Sequence, residues 1–353
     1  MKKNFTILII IIALAIIVTI LLLGFKPTTE QFKDADGNII EESIAIIEEV
    51  ELGNMKQWIT IRGKDTSNPV LLWLHGGPGS PQMSLAHELD GKLEEEFIVV
   101  HWDQRGAGKS NHSDFDDQTM TVNQFKNDAI DLIKYLQKRL NKDKIYLLGH
   151  SWGSQLGIEL VNDSPEYFYA YIGVSQVVDS HRGVKIAYDW LLEEIQHNND
   201  QTSLNKLAKI GVPPYSHSQY RDFAQLVNLY GGNLDIHLSK LALISVKAPE
   251  YTFLDYYHLI NGMNRGGAPL HQNGEMLSIN TIKEIPSVEI PIFFFNGKND
   301  YNTPLVLVEE YLEMIKAPQK DLIIFNHSSH TPFLKENDKF SEKIINIKEQ
   351  MDF

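Results

Sequence analysis

The chain has 353 residues, 43% hydrophobic and 22% charged, a globular composition with enough apolar mass to bury a large core. A net charge of −14 argues against nucleic acid or an anionic membrane surface as the main partner. Cysteine is absent, which excludes disulfides, a thiol nucleophile and thiolate metal sites.

Lys2 and Lys3 precede an almost unbroken apolar run from Phe5 to Leu23, about the length of a helix that crosses the hydrocarbon core. Gly24-Phe25-Lys26-Pro27 offers no small-x-small cleavage site. The expectation is an uncleaved transmembrane signal anchor over 1–26. It would make a single-pass membrane protein with its folded body outside the cytoplasm, or a secreted protein if the segment is cleaved. Residues 27–36 are polar and read as a tether ending in the turn Asp36-Gly37.

From Ile39 to Ile61, alternating β-formers predict two or three antiparallel strands. The runs 70–74, 97–100 and 145–148 are short and continuously apolar, as in strands buried on both faces. Between the last two, Val122, Phe125, Ala129, Ile130, Ile133 and Leu140 fall near helical spacing, with Thr121 as N-cap. Further buried strands are expected at 170–174, 290–295 and 322–325. Strands alternating with helices imply an α/β fold with a mostly parallel central sheet and helices on both faces, spanning 37–176 and 288–353. The interval 177–287 breaks that rhythm with aromatic-rich, amphipathic stretches, and reads as a mainly helical lid insertion.

Chemistry is concentrated at the ends of these strands. Gly149-His150-Ser151-Trp152-Gly153 lies between a strand and a helix-compatible run, so a sharp turn would expose the Ser151 hydroxyl as a nucleophile. The same turn aims the Trp152 amide at the place where an oxyanion would form. His75-Gly76-Gly77-Pro78-Gly79 follows the first buried strand, and the Gly77 amide is assigned as the second oxyanion donor. Asp103 to Ser110 ends like a phosphate-binding loop, but Asp103 stands where that loop needs glycine. Asp103 and Arg105 are expected to pair as a structural ion pair.

Asp300, in a loop after the strand ending at Phe295, is the expected triad acid. Two histidines compete for the base. His330 is chosen over His327, which is nearer the strand and more readily directed into packing. Ser, then Asp, then His is the chain order of α/β-hydrolases. The mechanism would be acyl transfer through a covalent intermediate, with no metal or organic cofactor. His87, His150, His181, His197 and His271 lack metal-ligand spacing and read as surface, lid or packing residues.

On these residues the chain resembles the proline iminopeptidase branch of the α/β-hydrolase superfamily, the S33 serine peptidases. The matching motifs are His75-Gly76-Gly77-Pro78-Gly79, Asp103-Gln104-Arg105-Gly106 with Gly108 and Ser110, Gly149 to Ser154, Gly297 with Asp300, and His330 with Pro332-Phe333. They cover roughly 40–175 and 288–350. The resemblance implies removal of an N-terminal residue, proline or similar, from short peptides. It also implies lid carboxylates that bind the substrate's free α-amino group. Where one would stand, in Ala224 to Tyr230, this chain has Val227, and Glu193 and Glu194 after Trp190 are the candidate substitutes. An unpaired buried ammonium would cost several kcal/mol. An esterase, amidase or lactonase of the same fold is therefore kept as the alternative. A non-hydrolysing binding protein and a carbon–carbon bond hydrolase stand further back.

Overall fold

The computed structural model describes residues 9–13, 26–112, 116–276 and 278–351. Among them eight strands form one sheet in the order β1-β2-β4-β3-β5-β6-β7-β8. These are β1 (Ile44–Leu52), β2 (Met55–Gly63), β3 (Val70–Leu74), β4 (Ile98–Asp103), β5 (Ile145–His150), β6 (Phe168–Val174), β7 (Ile292–Gly297) and β8 (Lys320–Phe325). β1 and β2 form a hairpin, β2 runs antiparallel to β4, and every later pairing is parallel. The hairpin turns on Gly53 and Asn54, both at positive φ, which suits a two-residue connection between twisted strands.

Among the described residues the helices of eight residues or more are α1 (Val122–Leu140), α2 (Trp152–Asp163), α3 (Ser180–His197), α4 (Gln201–Ile210), α5 (His217–Leu229), α6 (Leu238–Ser245), α7 (Phe253–Arg265), α8 (Leu305–Met314) and α9 (Asn337–Gln350). The parallel strands read as continuous apolar runs because both faces are covered. Leu72, Leu74, Val100 and Leu147 pack on one side with Phe125 and Leu132 of α1, Leu156 of α2 and Val308 of α8. Their neighbours Leu71, Trp73, Val99 and Leu148 point the other way, onto Phe340 and Ile344 of α9. At about 25 cal/mol per Å² of apolar surface, this two-sided burial is the main stabilising term of the fold. Thr121 caps α1, its hydroxyl accepting from the Gln124 N–H at 3.2 Å.

Between β6 and β7 the chain leaves the sheet and builds α3 to α7. This insertion has its own apolar cluster, with Ala187, Leu191 and Ile195 of α3 against Leu207 of α4 and Phe223, Leu226 and Val227 of α5.

Three expectations need correction. Arg105 does not pair with Asp103. Its guanidinium grips Asp128 of α1 through two bonds of 2.9 Å, while one Asp103 oxygen accepts from the Lys109 amide and the Tyr251 hydroxyl. The side chain of Arg105 turns toward the buried Asp128 carboxylate on the α1 side, where Gln57 and Gln124 complete the acid's partners. Residues 27–36 do not hang as a tether, because residues 28–30 bond to the body. The Thr28 N–H donates to Pro249 O at 3.1 Å, Thr29 donates to Glu250 at 2.7 Å, and Arg62 donates to Glu30 O at 2.7 Å.

The third correction concerns the anchor, and with it the single-pass, extracytoplasmic placement and the membrane as a partner. Among the described residues no helix is long and apolar enough to cross a membrane. Within 1–26, helical backbone is described only over 9–13. The rest of the expected span lies outside the described residues.

Candidate active site

β5 ends at His150 and α2 begins at Trp152, so the whole reversal from strand to helix falls on Ser151. Its backbone sits at φ 53°, ψ −118°, a conformation that L-residues rarely hold and that persists only where the surroundings enforce it. The enforcement is close approach. A Cβ on Gly149 would lie 2.2 Å from Gly153 O, and one on Gly153 would lie 2.1 Å from Leu74 O. The Ser151 N–H is tied to Val174 O at 2.9 Å, and Ser154 donates its hydroxyl to Ser151 O at 2.6 Å.

His330 follows β8 and Asp300 follows β7, two adjacent parallel strands, which brings their loops together. His330 Nδ1 lies 2.9 Å from an Asp300 carboxylate oxygen. Asp300 is buried. It accepts from the Asn302 and Thr303 amides at 2.9 and 2.8 Å and from the Thr303 hydroxyl at 2.7 Å. Burial works against its charge, but the His330 ring and the Thr303 bonds outweigh it and hold the carboxyl below its ordinary range. An ionised carboxylate can only accept, so Nδ1 carries the ring proton and Nε2 is left as an acceptor facing the cavity. His327, the competing histidine, is exposed to solvent, while His330 is buried.

The loop after β3 lies against the serine. A Cβ on Gly76 would come within 3.3 Å of the Ser151 Cβ, and Gly77 holds φ 113°, open to glycine alone without strain. The first amides of a helix have no acceptor within it, which leaves the Trp152 N–H available beside Ser151. His75 sets this loop: its Nδ1 donates to Gly76 O at 2.8 Å and its Nε2 accepts from the Gln104 amide at 3.1 Å. Burial pushes the His75 ring down to about 4 and keeps it neutral. Gln104 also accepts from the Trp152 indole at 3.1 Å, tying the loops after β3 and β4 to the start of α2.

Ser151, His330, Gly77 and Trp152 all line one cavity of about 470 Å³ between the sheet's carboxyl edge and the insertion. Its walls include Val177, Val178, Val184, Ile279 and Leu307, with Tyr220, His217 and His271 at the insertion side. Leu238 and Met263 reach from this lining out to solvent. Glu193 and Glu194 are not brought to it. Glu193 is solvent-exposed, and neither residue lines the cavity. Asp179, at the N-terminus of α3, is the one carboxylate among its described lining residues.

Five contributors escaped the sequence reading. His150 Nε2 lies 2.9 Å from His330 O, and the Ser175 hydroxyl donates to the same oxygen at 3.0 Å. Burial and the neighbouring His330 push the His150 ring down to about 3, so it serves as a neutral prop rather than a surface group. Asn302 Nδ2 lies 3.0 Å from His330 Nε2. From the insertion, Asp235 accepts from the Ser329 and Thr331 amides at 2.6 and 2.8 Å, while Asn233 O accepts from the His330 amide at 2.9 Å. Three consecutive amides of the histidine turn are thus held by residues 233–235. The only sequence signal for any of these was proximity: His150 beside Ser151 and Asn302 two places after Asp300.

Comparison with known proteins adds four findings. The family model described as alpha/beta hydrolase fold matches residues 69–337. A probable aminopeptidase of Bacillus subtilis, YbaC, is 35% identical over 311 residues, covering 86% of this chain and 96% of the relative. A proline iminopeptidase of Clostridium botulinum is 27% identical, covering 81% of this chain and 92% of its own. Among solved structures, the proline iminopeptidase of Mycobacterium smegmatis superposes with a TM-score of 0.61 at 20% identity, covering 87% of this chain and 99% of that one, a likeness of fold.

Proposed function

The chain belongs to the α/β-hydrolase family, and from that premise we propose that it is a serine hydrolase that releases an N-terminal residue from short peptides through an acyl-enzyme. The observation that carries this reading is the 2.9 Å Asp300–His330 pair, whose histidine lines the cavity that also holds Ser151 on its strained turn. In the mechanism, His330 Nε2 takes the proton of Ser151 as its oxygen attacks the scissile carbonyl. Asp300 holds the ring in the tautomer that puts its lone pair on Nε2. The amides of Gly77 and Trp152 stabilise the oxyanion. His330 then protonates the leaving amine, and water, activated by the same ring, releases the acyl group. The insertion acts as the lid of this site and sets its substrate range.

The peptide substrate is supported by the 35% identity to a probable aminopeptidase. In this reading Asp179 pairs with the substrate's α-ammonium. It is fixed by the Arg182 amide at 3.0 Å and Asn280 Nδ2 at 2.9 Å. A second reading, an esterase or amidase indifferent to a free amine, is favoured by the lack of any glutamate among the described lining residues.

The test is hydrolysis of prolyl-, alanyl- and leucyl-naphthylamides beside their N-acetylated forms and a p-nitrophenyl ester. Cleavage of free-amine substrates alone, lost in Ser151→Ala, is expected. Asp179→Asn should then lower kcat/KM on them about 100-fold and leave the ester rate within about twofold, as loss of one partner of a buried ion pair does. Equal turnover of acetylated substrates would replace the aminopeptidase by the esterase, and a Ser151→Ala protein that keeps its activity would end both.

A further inference from the structure

The lone pair of His330 Nε2 is already occupied. Asn302 Nδ2 stands 3.0 Å from it, and because Nδ1 carries the proton toward Asp300, the Asn302 group facing Nε2 must be the NH₂. The orientation of the amide therefore follows from the chemistry of its neighbours. It leaves Asn302 Oδ1 to accept from the Tyr220 hydroxyl of α5, at 3.0 Å. An imidazole nitrogen has a single lone pair, so a donor seated on it competes with the serine hydroxyl that a general base must serve.

Both Asn302 and Tyr220 line the cavity. The Tyr220 ring lies 5.3 Å from that of His271, which lies 4.9 Å from that of His217, so this wall of the cavity is a row of rings carried by the insertion. A substrate filling the cavity presses on the same row.

We propose that Asn302 and Tyr220 form a latch on His330 that a ligand releases by displacing Tyr220. This rests on the reading of His330 as the general base. Asn302 acts through His330 and is a positioning residue. The latch has a second arrangement. Once Nε2 has taken the serine proton it is itself a donor, and two donors cannot face each other. The amide, freed from Tyr220, then turns so that its Oδ1 accepts from Nε2–H. The pair thus opposes the base at rest and accommodates it during turnover.

The experiment is the second-order rate of labelling by a small alkyl fluorophosphonate, which needs neither an amine nor a bulky substrate to open the latch. In that reaction the Ser151 Oγ–P bond forms, the P–F bond breaks with departure of fluoride, and the serine proton passes to His330 Nε2. Asn302→Ala is expected to label roughly 2- to 10-fold faster than wild type, the net worth of one hydrogen bond. Tyr220→Phe, which keeps the amide but frees it to turn, should label faster by a smaller factor. A residue serving only the fold would slow the reaction when removed. Labelling of Asn302→Ala at or below the wild-type rate, with an unchanged melting temperature, overturns the latch. If that variant is destabilised, Tyr220→Phe at or below the wild-type rate does the same. A wild-type protein that does not label, or a Ser151→Ala protein that does, would instead overturn the serine hydrolase reading.

Discussion

The carbonyl oxygen of Leu74 and the backbone of Gly153 leave no room between them for a methyl group, and that contact sets the turn at Ser151. Gly153→Ala should cost about 1–3 kcal/mol of stability and most of the activity, since the added carbon would lie 2.1 Å from Leu74 O. Gly91→Ala is the matched control: its Cβ would meet nothing within 4 Å, and denaturant melts should leave it at the wild-type midpoint. At this scale much of the site was legible. Glycines at 149 and 153 around Ser151, and His330 rather than His327, follow from local spacing. Asn302 was not legible, because its importance lies in a ring nitrogen 28 positions away and a tyrosine 82 positions away. No periodicity records such contacts.

At the scale of elements, the apolar runs announced their strands because a strand covered on both faces cannot alternate. Helix faces were equally readable where they were read. In α3 the buried residues Ala187, Leu191 and Ile195 recur every four positions, so Glu193, two places from Leu191, points away from the apolar stripe. That spacing alone argues against a role for Glu193 in the cavity. The grip of residues 233–235 on the histidine turn was hidden, since Asp235 meets Ser329 across 94 positions. Asp235→Ala leaves the Ser329 and Thr331 amides without their carboxylate and should let the His330 ring drift. We expect kcat to fall about 10- to 100-fold with KM changed less than about threefold, read from initial rates on the preferred substrate. A fall confined to KM would mean that Asp235 shapes the pocket instead.

For the molecule as a whole, two neutral buried rings contribute to its response to acid, against buried carboxyls such as Asp103 that burial pushes up. His75 is held near 4 and His150 near 3, both below the ordinary 6.5 that the unfolded chain retains. As pH falls below 6.5 the unfolded state takes up protons first, so the stability present above that value drains away toward about 4 for His75 and about 3 for His150. The depressed Asp300 acts in the same direction at lower pH. Melting temperature followed from pH 7 to 4 should fall, and His150→Gln should flatten that slope by on the order of 5 °C. An identical slope in the variant would show that His150 does not titrate in this way.

Residues 231–235 belong by sequence to the insertion, yet they complete the turn that carries His330. Gly231 O takes the Ser329 hydroxyl, Gly232 O takes the Tyr301 amide, and Asn233 and Asp235 take the amides around His330. For protein engineering this redraws the seam. A graft that exchanges everything between β6 and β7 for the corresponding segment of another hydrolase would carry off part of the histidine's seat along with the specificity wall. Chimeras that replace 180–230 and 238–279 while keeping the recipient's own 231–237 are the ones that should inherit a new substrate range without losing turnover.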